Sequence, residues 1–566
     1  MAAARIPGWR YRFRGATLNL QATRVFKTPI SRALLLGAVS FLAVLPFFWQ
    51  GSPSGHDFEF HMFSWMDALG QWEQGVVYPR WAAMAHWGYG EARFLFYPPA
   101  SWALGAALGA LLPWKMVPGA YCWIVLTVAG AAMYRLAREW LPAPDALFAA
   151  AFYAVNPYHL LIVYWRSAYA ELLASALLPL LLVCVLRLEE RSLRPALWLG
   201  VTLAAAWLTN APVAVIIHYS LAGLVALKAA LDRSWRPLWQ AGLALMLGFG
   251  LASFYLVPAI YEQTWVNIGE VLSPGVRPQD NFLFTTIADP DHNRFNLLVS
   301  AIAAAEIGAA AIAVWFSRRS REQRRTLWIL LSAWTGSIVL IMLSITNLLW
   351  QHLPKLRFVQ IPWRWLLCLN AALAMLLAMA ARRWSARALM GTALLAVVLI
   401  AGYRIQPPWW DTAPDIQEMS SAMSDGTGYE GADEYVPAGA DPYDVDKSLP
   451  RITGDSNEPV RAKIQTWGPE EKHFAVYSSS QENLTLRLFN YPAWEVTING
   501  ERVNSKTTED TGEMVIPVSA GMNDVQVRFR RTPDRTLGGA VSLISLAVLV
   551  AAWVKTRPRA AVSANA

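Results

Sequence analysis

The run Gly55-His56-Asp57-Phe58-Glu59-Phe60-His61 sets two carboxylates and two imidazoles within six residues, directly after a long apolar segment. On a helix, Asp57 and His61 are four apart and share a face. On an extended chain, Asp57, Glu59 and His61 share one side. A carboxylate so placed can act as a general base, or join an imidazole on a divalent cation. Residue type alone leaves a plainer reading open, an interfacial helix whose polar side chains are solvated among headgroups.

Other side chains able to do chemistry are scattered along the chain. Arg80 stands in Tyr78-Pro79-Arg80-Trp81, Arg166 lies five residues before Glu171, and Arg364 sits in Pro362-Trp363-Arg364-Trp365. A guanidinium at the mouth of a membrane span can fork onto a lipid phosphate or simply snorkel to headgroups. Arg166 and Glu171 form either a local ion pair or part of a site. Glu306 falls in an Ala-rich apolar stretch, where a carboxylate is a functional candidate or a protonated acid bonding a neighbouring helix. Asn210 and His218 read as satisfied polar groups in a helix bundle, and Asp433 and Glu434 as surface residues or domain contacts. Asp289, Asp291 and His292 are further candidates to face a cavity.

The elements that position these groups are membrane helices. Of 566 residues 55% are hydrophobic and 16% charged, against about 45–50% and 25% in soluble domains. Apolar segments recur at about 33–49, 97–113, 117–134, 145–163, 168–187, 195–209, 211–228, 238–260, 295–316, 326–346, 361–381, 386–404 and 537–555. Many of the 28 Trp, such as Trp49, Trp102, Trp114, Trp165 and Trp350, fall where a span meets the interface. Basic clusters separate the segments: Arg135/Arg138, Arg187/Arg191/Arg194, Lys228/Arg233/Arg236, Arg318 to Arg325, Arg382/Arg383/Arg387 and Lys555/Arg557/Arg559. All of them, and the basic N-terminus, fall on one side only if 97–113 does not cross. The expectation is therefore about twelve spans with both termini cytoplasmic. Segment 97–113, which starts at Pro98-Pro99, is then re-entrant or lies against the outer face.

This arrangement divides the chain into a basic cytoplasmic N-terminus (1–32), a transmembrane domain (33–404) with a long first outer loop (50–96), an external domain (405–536), and a final helix with a cytoplasmic tail (537–566). The external domain begins with an acidic Gly/Pro/Asp/Tyr-rich stretch from Asp411 to Pro450 that reads as irregular. Alternating runs follow at His473–Tyr477, Leu484–Phe489, Trp494–Ile498, Met514–Val518 and Val525–Phe529. Asn499-Gly500 marks a hairpin turn, and a small antiparallel β-sandwich fits.

Several classes are set aside. The net charge of +8 lies beside spans and does not point to nucleic acid. Three cysteines, Cys122, Cys184 and Cys368, lie in apolar segments and make no disulfide framework or CxxC metal signature. There is no phosphate-binding glycine loop, nucleophile elbow or HExxH pair.

The motifs Gly55-His56-Asp57, His61, Gly75 and Tyr78-Pro79-Arg80-Trp81 resemble the opening of the bacterial membrane proteins termed 6-pyruvoyl-tetrahydropterin-synthase-related, which group with the GT-C superfamily of glycosyltransferases. The resemblance continues, in order, through Phe96-Tyr97-Pro98-Pro99, Asn156-Pro157-Tyr158-His159, Arg166 to Glu171, Gln360-Ile361-Pro362-Trp363-Arg364, Gly428 to Tyr435 and Tyr491-Pro492-Ala493-Trp494. Despite the pterin label, nothing here resembles a soluble three-histidine zinc enzyme.

The resemblance implies an inverting glycosyltransferase of the bacterial cytoplasmic (inner) membrane and cell envelope. It would move a sugar from a polyprenyl-phosphate-linked donor to a glycan, lipid or protein acceptor on the extracytoplasmic face. Asp57 matches the acidic first-loop position of that superfamily and, with Glu59 and His61, forms the expected catalytic group. Arg80, Tyr97, Arg166, Glu171 and Arg364 are the expected substrate-binding residues. Where a member uses a divalent metal such as Mg or Mn, Asp57 and His61 are the expected ligands. The alternative is a non-catalytic scaffold or polysaccharide- or lipid-assembly component that retains the fold. A solute transporter is disfavoured by the scarcity of mid-membrane charge and the lack of an evident repeat.

Overall fold

A computed structural model describes residues 28–188, 192–318, 324–381, 383–404, 409–455 and 458–556. Residues 1–27 of the basic N-terminus lie outside these. So do Arg191, Arg319 to Gln323, Arg382, Arg557 and Arg559 of the basic clusters, and residues 405–408, where the expected external domain begins.

Among the described residues, ten helices are long and apolar enough to cross a membrane. An eleventh arises if Arg325–Ile341 and Ser344–His352, bent by 85°, count as one span. The helix Arg194–Thr209, with 16 residues, completes the set of about twelve. Segment 97–113 holds only the 11-residue helix Pro99–Gly109, about 16 Å long at 1.5 Å per residue, roughly half the hydrocarbon thickness. It packs on the first-loop helix Phe58–Glu73. Gly105 lies directly on the Trp65 indole, since a Cβ there would fall 2.1 Å from the ring.

Connections assigned to one side by charge meet at one end of the bundle. Arg187 bonds Glu139, Arg387 bonds Asp145 at 2.7 Å, and Arg324 donates to the Trp140 carbonyl at 2.8 Å. At the other end gather the first loop, the 162–171 turn, the 356–365 turn and the C-terminal domain.

A short pair ties the first loop to that domain: β1 (Ser52–Pro53) runs antiparallel to β2 (Trp410–Asp411). Nine further strands follow: β3 (Ile452–Thr453), β4 (Ala462–Trp467), β5 (Glu471–Ser478), β6 (Glu482–Phe489), β7 (Trp494–Ile498), β8 (Glu501–Val503), β9 (Lys506–Thr507), β10 (Glu513–Val518) and β11 (Gly521–Phe529). They form two antiparallel sheets, ordered β3-β6-β10-β9 and β4-β5-β11-β7-β8. The expected Asn-Gly turn joins β7 to β8, with φ of 52° at Asn499 and 87° at Gly500, as a primed hairpin turn needs. Phe474, Val476, Leu484, Leu486, Val525 and Val527 fill the space between the sheets, and Trp494 is buried beside Phe529.

Two parts of this domain depart from the sequence reading. The stretch Asp411 to Pro450 is not wholly irregular, because Ala413–Ser424 is a helix opened by a Thr412/Asp415 capping box. Strand β4 has no alternating burial, so it left no period-2 signal.

The final helix, Pro533–Lys555, lies along Arg236–Tyr261. Gly538 rests on the Ser253 carbonyl, where a Cβ would stand at 2.4 Å. Arg535 forks onto Glu262 with two bonds of 2.7 Å, and Tyr491 from the β-domain donates to the same carboxylate at 2.6 Å. This buried group fixes the sheets to the membrane helices.

Candidate functional site

The first loop and the 162–171 turn interlock through their backbones. Ile162–Arg166 is a π-helical turn, and Ser167 after it takes a left-handed φ of 50°. The Ser167 hydroxyl then donates to the Pro53 carbonyl at 2.9 Å and accepts the Gly55 N–H at 3.1 Å. The Asp57 N–H donates to the Arg166 carbonyl at 2.9 Å. Gly55 cannot carry a side chain here, since a Cβ would stand 2.6 Å from the Arg166 carbonyl carbon. Two motifs more than a hundred residues apart are thus held in register.

Asp57 occupies the N-cap of the helix Phe58–Glu73, yet its side chain makes no capping bond. An N-cap Asp ordinarily accepts from the first-turn amides. Here the carboxylate instead stands 3.9 Å from the Arg166 guanidinium and is 42% exposed. It faces a cavity of about 450 Å³.

Behind Asp57 lies a buried ionic relay. Arg166 is paired with Glu171 and has Trp363 under its guanidinium at 5.1 Å. Glu171, 1% exposed, also accepts from Arg364 Nε at 3.0 Å and from the Tyr158 hydroxyl at 2.6 Å. Arg364 Nη1 donates to the Val359 carbonyl at 2.7 Å and to Gln360 Oε1 at 2.9 Å. Its Nη2 keeps no acceptor among the described residues, and Arg364 lines the cavity. Two guanidiniums share one buried carboxylate, and the second ends with donors to spare.

The opposite wall comes from the C-terminal domain. Glu91 and Arg93 of the first loop pair in a buried site. Burial raises the Glu91 carboxyl, but Arg93, His86 and the Ala432 N–H together outweigh it and hold the group below its usual range. Glu91 also contacts His86 at 2.9 Å and accepts the Ala432 N–H at 2.7 Å. Gly431 fits only because it lacks a Cβ, which would stand 2.1 Å from the His86 ring. This docking brings Glu434 and Tyr435 into the cavity wall. Burial, aided by the charge of Glu91, pushes the Glu434 carboxyl up to about 7.

The expected site residues thus separate. Asp57, His61, Tyr97, Glu171 and Arg364 line the cavity, with His56, Asn210 and Gln360. Arg166 lies behind the wall. Glu59 is exposed on another face of the helix and is not among the lining residues. Arg80 pairs with Glu470 of the β-domain at 2.9 Å, away from the cavity. Asp291 is exposed, Asp289 caps the helix Pro290–Ser317, and His292 contacts the Asp280 carbonyl at 3.1 Å. Asn210 caps Ala211–Asp232, His218 bonds the Ala214 carbonyl at 2.7 Å, and Glu306 accepts from Asn370 of a neighbouring helix at 2.8 Å. Glu434 was missed as a cavity residue because a carboxylate in an acidic Gly-rich run looks solvated. The signal available was its close spacing to Gly428 and Gly431.

His61 Nε2 accepts the Tyr169 N–H at 3.2 Å, and its Nδ1 is buried without a partner. Burial pushes its imidazole down to about 4, so the ring is neutral near pH 7. Among the described residues no group of three His, Cys, Asp or Glu is spaced to hold a metal ion. The imidazole braces the 167–169 turn against the first-loop helix.

A family model described as the 6-pyruvoyl-tetrahydropterin synthase related domain, a membrane protein, matches residues 94–408. No curated protein matches the sequence. Among solved structures the chain is similar to ArnT from Cupriavidus metallidurans bound to undecaprenyl phosphate, with a TM-score of 0.46 and 13% identity over 70% of this chain and 75% of that one. It is also similar to the Archaeoglobus fulgidus oligosaccharyltransferase in the apo form, with a TM-score of 0.40 and 13% identity over 71% of this chain and 56% of that one. A third likeness is to the arabinofuranosyltransferase AftD from Mycobacteria, with a TM-score of 0.41 and 16% identity over 70% of this chain and 27% of that one.

Proposed function

We propose a glycosyl-transfer function for this chain, which belongs to the 6-pyruvoyl-tetrahydropterin synthase related family of membrane proteins. The reaction is transfer of a sugar from a polyprenyl-phosphate-linked donor to an acceptor hydroxyl on the extracytoplasmic face of a bacterial inner membrane. One observation carries the reading: Asp57 and Arg364 line the same cavity, coupled through Arg166 and Glu171.

In this reaction Arg364 Nη2 holds the donor phosphate, while Ile268, Val271 and Phe358 offer apolar wall to the first prenyl units. The acceptor oxygen attacks the anomeric carbon from the face opposite the phosphate. The sugar–phosphate C–O bond breaks with its electron pair going to the phosphate, and the acceptor proton passes to Asp57. Polyprenyl phosphate leaves, stabilised on the guanidinium. Arg166 orients Asp57, and Tyr97 closes the cavity against Phe60 with ring centroids 4.8 Å apart. A divalent ion, where bound, would supply positive charge at the phosphate, with Asp57 and His61 the cavity residues that would hold it.

The scaffold alternative draws on a different feature of the same relay: Glu171 already compensates both arginines without a ligand. Purification followed by mass spectrometry of co-purifying lipids separates the two. The transferase reading expects a polyprenyl phosphate that is depleted in Arg364→Ala. Its absence from protein purified in mild detergent favours the scaffold.

A further inference from the structure

A second cavity, of about 330 Å³, opens at the other end of the helix Phe58–Glu73, within the roughly 300–1,000 Å³ typical of small-molecule sites. It lies between the last turns of that helix, the 83–88 turn, the end of Ala413–Ser424 and the β-domain.

Three cations line it beside the carboxylates of Asp67 and Glu73, and none of the three has a carboxylate within 4 Å among the described residues. Lys472, on β5, is 3% exposed. Its ammonium donates to the Gly468 carbonyl and sits 5.8 Å from the Trp467 ring and 5.1 Å from the Trp494 ring. Arg451 lies over Trp467 at 5.7 Å. Arg487 donates to the carbonyls of Leu449 and Trp87, and its Nε is buried without a partner. Buried charge is ordinarily paired. Here burial and the neighbouring Arg451 push the Lys472 amine down to about 7 despite the opposing pull of Asp67 and Glu470, a cost that an incoming anion would reverse.

The rest of the lining is not that of a bare anion hole. Gln71 Nε2 is committed to Asp67 Oδ1 and the Trp81 carbonyl, both at 2.8 Å, which leaves its buried Oε1 without a partner. That oxygen is an acceptor for a hydroxyl. Trp467 and Trp114 add flat apolar surface of the kind that meets a pyranose face.

We propose that this cavity binds a sugar residue bearing an anionic group, with the anion among Lys472, Arg451 and Arg487 and a hydroxyl on Gln71. The site is separate from the Asp57 cavity and does not depend on the transfer chemistry.

The test is calorimetric titration of the full chain in nanodiscs with a short glucuronate oligomer, glucose 6-phosphate, a neutral glucose oligomer and inorganic phosphate. The uronate oligomer or the sugar phosphate should bind saturably, and the neutral oligomer and inorganic phosphate about tenfold more weakly or worse. Lys472→Met, which removes a buried charge that has no ion-pair partner within 4 Å and keeps the packing, should weaken binding by about tenfold. Arg451→Gln, at an exposed position, tests the same site without touching the core. Neutral sugar or phosphate alone binding as tightly as the anionic sugars overturns the proposal, and so does unchanged affinity in both variants.

Discussion

Arg364 donates from Nε to Oε2 of Glu171 at 3.0 Å across 193 positions of sequence. The bond fixes the guanidinium at the cavity wall, and it makes Glu171 the joint between two arginines.

Glu171→Gln keeps the shape of that joint and removes its charge. Breaking a buried ionic network by removing one partner costs about 3–5 kcal/mol, so the thermal midpoint in detergent should fall. Added polyprenyl phosphate should restore more stability to the variant than to the wild type, because it returns negative charge to Arg364. Equal stabilisation of the two would separate the lipid from the arginine pair.

Arg364→Ala should weaken binding of polyprenyl phosphate by about tenfold or more, as expected for a charge-assisted bond. Arg318→Ala is the comparison. That residue ends the helix Pro290–Ser317 and lies over Trp315 at 3.6 Å, in a cluster the charge pattern assigns to the other face. Equal losses in both would mean that general attraction to anionic lipid, and not the cavity, governs binding.

Glu434 gives a pH signature. Its native carboxyl is raised to about 7 by burial, whereas an unfolded Glu titrates near 4.3. Between these values the native state holds the proton more tightly, so stability falls as pH rises through that window and levels off above about 7. Chemical or thermal unfolding of Glu434→Gln should lose this slope. A slope unchanged in the variant would assign the titration to another group.

Much of the site's local chemistry was legible, and its assembly was not. Helical spacing put Asp57 and His61 on one face, and both do line the cavity. Charge patterning put Arg166 and Arg364 on one face with Glu171 near it, and the three meet in one ion-pair network. The same reasoning could not tell which arginine faces the cavity. Arg80 is taken up by Glu470, 390 residues away, and a pair so distant leaves no trace in spacing. Glu434 enters through the docking of Gly431 against His86 and Glu91, a backbone approach that only the fold reveals. The helix Ala413–Ser424 was readable from its Thr412-to-Asp415 capping box but hidden by the Gly, Pro and Asp around it. Strand β4 was hidden for the opposite reason, because neither face of it is consistently buried.

The central claim is that Asp57 accepts the acceptor proton, and its most direct test is single-turnover transfer from a polyprenyl-phosphate-linked sugar by Asp57→Asn. The substitution keeps the side chain's shape and the backbone bond from its N–H to Arg166, so folding and bound lipid should match the wild type. The transfer rate should fall by about 10²–10⁴, the usual contribution of a general base. A folded, lipid-loaded Asp57→Asn protein that transfers sugar at the wild-type rate would contradict the claim.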